Sequence, residues 1–100
     1  MSHIFLTPFE ALGVVARAAK EKRLSLNISQ KSLSDRSGVS LGVIKKFERT
    51  GKISLESLLK IALVLDSLLE FTTLFKPTPP QEMRTLNEIM NTKTRQRGRK

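Results

Sequence analysis

The sequence predicts an all-α domain of five short helices, and three observations support that prediction. Serine or threonine stands at the N-cap position before each of four stretches of helical character. Glycine stands where two of these stretches end, as is typical of helix C-termini. A proline-rich break, KPTPP at residues 76–80, follows the fifth stretch. We therefore predict one domain over residues 1–76 and a separate segment over residues 77–100.

The first predicted helix begins at the sequence TPFE. Thr7 is the N-cap, Pro8 fits the first helical position, and Glu10 completes a capping box. We expect this helix to run to about Arg23 and to end in a group of cations that favour its dipole. The side expected to face the core consists of Leu12, Val15, Ala16 and Ala19. The basic residues toward its end are Arg17, Lys20, Lys22 and Arg23.

Two shorter helices follow, joined by a very tight connection. Ser29 caps a helix over residues 30–37, which Gly38 ends, and Ser40 caps the next helix, over residues 41–49. So few residues between one helix and the next cap are typical of a helix-turn-helix motif. A glycine at position 51 ends the second helix of the pair.

The last two helices of the domain are strongly apolar. A helix over residues 55–65, capped by Ser54, ends in IALVL, which is apolar on nearly every side. A further helix over residues 67–75 adds more apolar side chains than five short helices can bury, so we predict a homodimer. The predicted dimer interface consists of Leu65, Leu68, Leu69, Phe71, Leu74 and Phe75.

The charge of the chain is positive and unevenly distributed. The net charge is +9, and residues 17–52 hold ten Lys and Arg against three acids. The last ten residues hold five basic residues and no acid. Such a distribution favours a polyanionic partner, above all nucleic acid.

Several classes of function are disfavoured by composition. The chain has no cysteine, and its one histidine, His3, lies near the start, so we predict no disulfide, metal or cofactor. No arrangement of acids, serines or glycines resembles a catalytic or phosphate-binding site, so we predict that it is not an enzyme. No apolar run is long enough to span a membrane and no signal peptide is recognisable, so we expect a cytoplasmic protein with no membrane partner.

The stretch ISQKSLSDRSGVSLGVIKKFERTG resembles the Cro/C1-type helix-turn-helix of bacterial and phage repressors, the xenobiotic-response-element family. The resemblance implies a lambda-repressor-like fold of five helices, with the third helix in the major groove of DNA. It implies that Leu33, Val39, Ile44 and Phe47 lock the two motif helices together. The matching residues are Ser29, Gln30, Leu33, Ser34, Gly38, Val39, Ser40, Ile44, Phe47, Glu48 and Gly51.

The same resemblance assigns roles to residues of the motif. Leu41, Gly42 and Lys46 are expected to face base edges, Leu41 at a thymine methyl group and Lys46 at guanine O6 and N7. Gly42 either permits close approach to DNA or is a neutral residue on an exposed face. No Gln or Asn stands in the first turn, which favours shape readout. The expected phosphate contacts are Gln30, Lys31, Arg36, Ser40, Lys45, Arg49 and Lys52.

Two residues of the motif have alternative structural roles. Gln30 either holds a phosphate or braces the third helix. Glu48 stands among basic residues, so we expect it to pair with Lys45, Lys52 or a backbone amide.

Within that family, "GVSLGVIKKFERTGKISLESLLKIALVL", "LFKPTPP", "TLNEIMN" and "RQRGRK" resemble the HipB-type antitoxins of HipBA and HipBST toxin–antitoxin operons. This implies a repressor of its own operon that also binds a HipA-like serine/threonine kinase toxin, with a small HipS-like partner in a three-gene operon. The alternatives are a phage-type repressor, a restriction–modification controller, or a protein-interaction module without DNA binding.

The segment after the proline-rich break has its own predictions. A capping box at Thr85 and Glu88 predicts a short helix over residues 86–90, which anchors to the kinase or folds back on the domain. The final ten residues contain no apolar side chain and are predicted to be disordered when free. Their alternate arginines bind DNA, bind the toxin or only add solubility; they are Arg95, Arg97 and Arg99.

Overall fold

The computed structural model describes residues 6–77, and all regular structure in this range is helical. The elements are α1 (Pro8–Ser25), α2 (Gln30–Ser37), α3 (Leu41–Thr50), α4 (Leu55–Val64) and a 3-10 helix (Leu68–Thr73). The predicted all-α class with five helical elements is confirmed for this part of the chain. The predicted helix at residues 86–90 and the basic tail lie outside the described residues.

All four predicted N-caps form. The hydroxyl of Thr7 accepts from the backbone N–H of Glu10, and the Glu10 carboxylate accepts from the N–H of Thr7, each at 3.0 Å. The hydroxyls of Ser29, Ser40 and Ser54 accept from the N–H three residues later, at 3.0, 3.2 and 3.1 Å. These bonds satisfy amide groups that a helix start leaves without partners.

Two glycines end helices α2 and α3 in the left-handed conformation, but they differ in what surrounds them. Gly38 has φ +81° and a Cβ added there would meet nothing within 4 Å. Gly51 has φ +83°, and an added Cβ would lie 2.6 Å from both Cβ and the carbonyl oxygen of Leu12. Gly51 is therefore required both for its backbone conformation and for the close approach of α1 to α3.

The core lies where the helices of the motif meet their neighbours. Helix α1 packs on α3, α2 packs on both α3 and α4, and the 3-10 helix packs on α4. The prediction that Leu33, Val39, Ile44 and Phe47 lock the motif together is confirmed, since all four are buried. The buried core cluster consists of Ala16, Ile28, Leu33, Val39, Ile44, Phe47, Ile61 and Leu65.

The first helix departs from prediction in two respects. It runs to Ser25, so the expected loop after Arg23 begins later than predicted. Val15 is 43% exposed and Ala16 is buried, so the expectation that Val15 faces the core was wrong. The physical reason is that α1 meets the domain mainly through α3, and Ala16, not Val15, is on the covered side.

The fifth element is a short 3-10 helix and not the predicted α-helix over residues 67–75. Asp66, just before it, has φ +59°, which breaks the helical path after α4. The backbone N–H groups of Glu70 and Leu74 donate to the carbonyls of Ser67 and Phe71, three residues earlier, at 3.2 and 3.4 Å. This spacing matches the tighter turn of a 3-10 helix, which proteins use in short pieces.

Leu65 was predicted to lie in a dimer interface, and its burial within the single chain corrects that assignment. It forms the C-cap of α4 and is 2% exposed, as part of the core cluster. Leu65 therefore has almost no surface left for a partner. It is not part of the dimer surface proposed below.

Candidate nucleic-acid interface

Helix α3 has a core side and an outward side. Ile44 and Phe47 are buried, and successive residues of an α-helix turn by about 100°. Gly42, Lys46 and Arg49 therefore share the side opposite the buried pair, and all three are exposed. We call these three residues the outward stripe. Two of the three predicted base-contacting residues lie on it.

The residues flanking the outward stripe differ in how far they are exposed to solvent. Lys45 is exposed on one flank. Leu41, the third predicted base contact, is half-buried and lies off the outward stripe. Val43 is 39% exposed on the other flank and was not predicted as a contact. Val43 lies only about 40° from Phe47 around the helix, so the spacing of the buried pair gave no signal of its exposure.

Gly42 is not required by the fold. Its φ is not positive, and an added Cβ would meet nothing within 4 Å. Glycine inside a helix costs about 1 kcal/mol relative to alanine. No contact within the described residues compensates for that cost. The glycine at this position is therefore either required by a binding partner or neutral.

The turn between α2 and α3 is fixed by serines. The hydroxyl of Ser34 donates to the carbonyl of Val39 at 2.7 Å, and the hydroxyl of Ser37 accepts from the N–H of Val39 at 3.1 Å. Ser40 then caps α3 by accepting from Val43, which leaves its own O–H free to donate. The start of α3 is thus held in place while its leading N–H groups point outward.

A buried polar network joins α1, α2 and α3 behind the outward stripe. The Arg23 guanidinium donates to both Glu48 carboxylate oxygens, from Nε at 2.7 Å and from Nη2 at 3.0 Å. Its Nη1 donates to the carbonyl of Ile28 at 2.9 Å. The Gln30 amide donates to Glu48 Oε1 at 2.9 Å. Both charged side chains are 7% exposed.

This network corrects two predictions. Glu48 pairs with Arg23 and Gln30, and not with Lys45, Lys52 or a backbone amide. Arg23 is buried, although it was interpreted as one of the cations at the end of α1. Gln30 braces α3 through Glu48, and its phosphate contact stays a prediction. Sequence reasoning missed Arg23 because its partner lies 25 residues away.

The remaining predicted phosphate contacts are exposed side chains of α2 and of the segment after α3. Arg36 and Lys52 are exposed. Lys31 is also exposed and lies 3.4 Å from the Asp35 carboxylate. An exposed pair of this kind is worth about 0–1 kcal/mol, so it is easily exchanged for a phosphate. The tail residues Arg95, Arg97 and Arg99 lie outside the described residues.

Residues 6–77 contain neither a cluster of metal ligands nor a helix that could span a membrane. No group of three or more His, Cys, Asp or Glu side chains in this range is arranged to hold a metal ion. None of the helices described is both long enough and apolar enough to cross a membrane.

Comparison with known proteins identifies the motif. A helix-turn-helix family model matches residues 20–71, which is more than half of the chain and spans α2, α3 and the buried network. No match was found among curated proteins or among solved structures. Members of this family are DNA-binding transcription regulators and not catalytic domains. The chain therefore belongs to the Cro/C1-type helix-turn-helix family.

Proposed function

We propose that the chain is a homodimeric repressor that binds operator DNA in its own promoter, as the antitoxin and autoregulator of a HipBA- or HipBST-type operon. The observation that supports this best is the outward stripe of α3. It is exposed, cationic and held against the domain by packing and by the buried network. A rigid cationic helix on the surface is what insertion into a major groove requires.

The proposed contacts follow from the position of each residue on α3. Lys46, on the outward stripe, reaches guanine O6 and N7, while Gly42 allows the first turn to approach the groove closely. Leu41 and Val43 flank that turn, and each offers an apolar surface to a thymine methyl group. Phosphate contacts come from the surrounding polar residues Lys31, Arg36, Ser40, Lys45, Arg49 and Lys52.

The proposed dimer is supported by an apolar surface that the described chain leaves uncovered. Leu69 is 80% exposed, Phe75 is fully exposed, and Leu74 is also exposed beside them. Leu68 and Phe71, also predicted for this interface, are half-buried. A two-fold dimer would place its α3 helices on half-sites about 34–36 Å apart, or a multiple of that distance.

The proposed toxin partner is supported by the resemblance of the sequence motifs to HipB-type antitoxins. Its test is expression of the native operon with an affinity tag on this chain. We expect a HipA-like kinase to co-purify in stoichiometric amount, together with a small HipS-like protein in a three-gene operon. Purification of the chain alone would instead favour a phage-type repressor or a restriction–modification controller.

The DNA-binding proposal is tested by the variant Lys46→Ala. After selection of a preferred duplex, anisotropy titrations compare that duplex with a scrambled one. We expect Lys46→Ala to weaken specific binding by about 1–3 kcal/mol, or about 5- to 150-fold, and to relax preference at one base pair. The matched control is Lys60→Ala, because Lys60 lies in an exposed pair with Glu56 on α4.

Two results would contradict the proposal. If Lys46→Ala discriminates between the two duplexes as well as the wild type does, Lys46 does not read bases. If the wild type binds all duplexes weakly and equally at physiological salt, the chain is a protein-interaction module and not a repressor.

A further inference from the structure

A second surface feature lies beside the outward stripe, in the groove between α1 and the end of α3. The groove has a volume of about 640 Å³. Gly13, Arg17 and Lys20 share its α1 side because they are spaced by one and two helical turns. The residues that line it are Phe9, Glu10, Gly13, Ala16, Arg17, Lys20, Glu48, Arg49, Thr50 and Lys52.

The groove carries an excess of positive charge, because four cations line it against two acids. Its four cations are all exposed, and none forms an ion pair among residues 6–77. Both acids accept hydrogen bonds within the fold, but only Glu48 is paired with a cation. Glu10 accepts from the backbone of Thr7, and Glu48 is held by Arg23 and Gln30. The four cations are Arg17, Lys20, Arg49 and Lys52.

The groove is continuous with the outward stripe, because Arg49 belongs to both. We propose that one sugar–phosphate strand of the bound duplex runs along this groove, and that Arg17 and Lys20 of α1 bind its phosphates. This inference rests on the proposed function. It extends the DNA contact surface from the helix-turn-helix motif to α1, to which the sequence assigned no DNA contact.

The chemistry of the groove favours a DNA strand over an acidic peptide. The floor at Gly13 is open, since a Cβ added there would meet nothing within 4 Å, and its neighbour Ala16 is small. The groove is thus shallow at this point, and Phe9 is the one large apolar side chain among its lining residues. Long cationic side chains along an open track instead match evenly spaced phosphates, which need charge and few apolar contacts.

The test is the salt dependence of operator binding by the double variant Arg17→Gln/Lys20→Gln. The slope of log Kobs against log salt is negative, and each lost phosphate contact makes it shallower by about 0.9. The slope of the double variant should therefore be shallower than that of the wild type by about 2. Between 50 and 200 mM salt, the wild type should therefore lose about tenfold more affinity than the variant. Both side chains are exposed, so the thermal midpoint should be unchanged.

The control is Lys60→Gln/Lys76→Gln, which removes the same charge from exposed positions away from the groove. It should keep the wild-type slope. If Arg17→Gln/Lys20→Gln also keeps that slope while the wild type still selects its operator, the groove assignment is wrong and the repressor proposal stands. Loss of polyglutamate binding in that same variant would then assign the groove to an acidic protein. If the wild type selects no operator, both proposals fail.

Discussion

The substitution Gly42→Ala separates the stability of the domain from its binding of DNA. Gly42 lies in the first turn of α3, its φ is not positive, and an added Cβ meets nothing within 4 Å. Alanine is favoured over glycine in a helix by about 0.5–1 kcal/mol. For a domain of this size, that gain should raise the melting temperature by about 2–8 °C.

The same methyl group should weaken operator binding. It would project from the outward stripe, where we propose that α3 approaches the floor of the major groove. Inserting a methyl group into a closely packed contact costs about 1–3 kcal/mol. We therefore expect operator affinity to fall by about 5- to 150-fold in a protein that is more stable than the wild type.

Gly13→Ala provides the control for the helix argument, because Gly13 is also a helical glycine whose added Cβ meets nothing within 4 Å, and it should raise the melting temperature similarly. Since Gly13 lines the proposed phosphate groove, the control for operator affinity is Lys60→Ala on α4, which should bind as the wild type does. The assays are thermal melting by circular dichroism and anisotropy titration with operator DNA. Wild-type affinity in Gly42→Ala would refute the close approach, and an unchanged melting temperature would refute the helix argument.

Three further predictions concern stability and assembly. Gly51→Ala should destabilise the domain by several kcal/mol more than Gly38→Ala in urea unfolding, because only Gly51 lacks room for a Cβ; equal costs would show that backbone conformation alone matters. Arg23→Met should lower the free energy of unfolding by about 3–5 kcal/mol, because it leaves the buried Glu48 carboxylate without a cation. Arg23→Met/Glu48→Met should recover part of that loss. A double variant that is less stable than the single one would contradict this. Leu69→Lys should shift sedimentation from dimer to monomer while the helical spectrum persists, and an unchanged dimer would exclude this surface as the interface.

Much of the fold was predictable because its causes are local in sequence. A serine hydroxyl reaches an N–H three residues away, and a left-handed glycine ends the helix that directly precedes it. Ser29, Ser40, Gly38 and Gly51 therefore mark the ends of α2 and α3 without any knowledge of the tertiary structure. The periodic burial of the motif's apolar residues has the same local character.

The features that were not predicted depend on contacts between distant residues. From its neighbours in the sequence, Arg23 is interpreted as a cation that favours the dipole of α1. Only the packing of α1 on α3 brings it to Glu48. Leu65 and Val15 are both apolar, and sequence alone does not say which of them the neighbouring helices cover. The same is true of the groove, since Arg17 and Arg49 approach one groove only when α1 lies across α3.

The buried network links these distant contacts to the proposed function. Helix α3 has only 10 residues, contains a glycine in its first turn and presents three cations to solvent, so in isolation it would not hold its shape. Packing of Ile44 and Phe47 fixes it along one side, while Glu48 ties it to both preceding helices. Because the carboxylate of Glu48 is paired with Arg23 and accepts a hydrogen bond from Gln30, it does not neutralise the neighbouring lysines. The network thus positions α3 and at the same time leaves its outer charge available to phosphates.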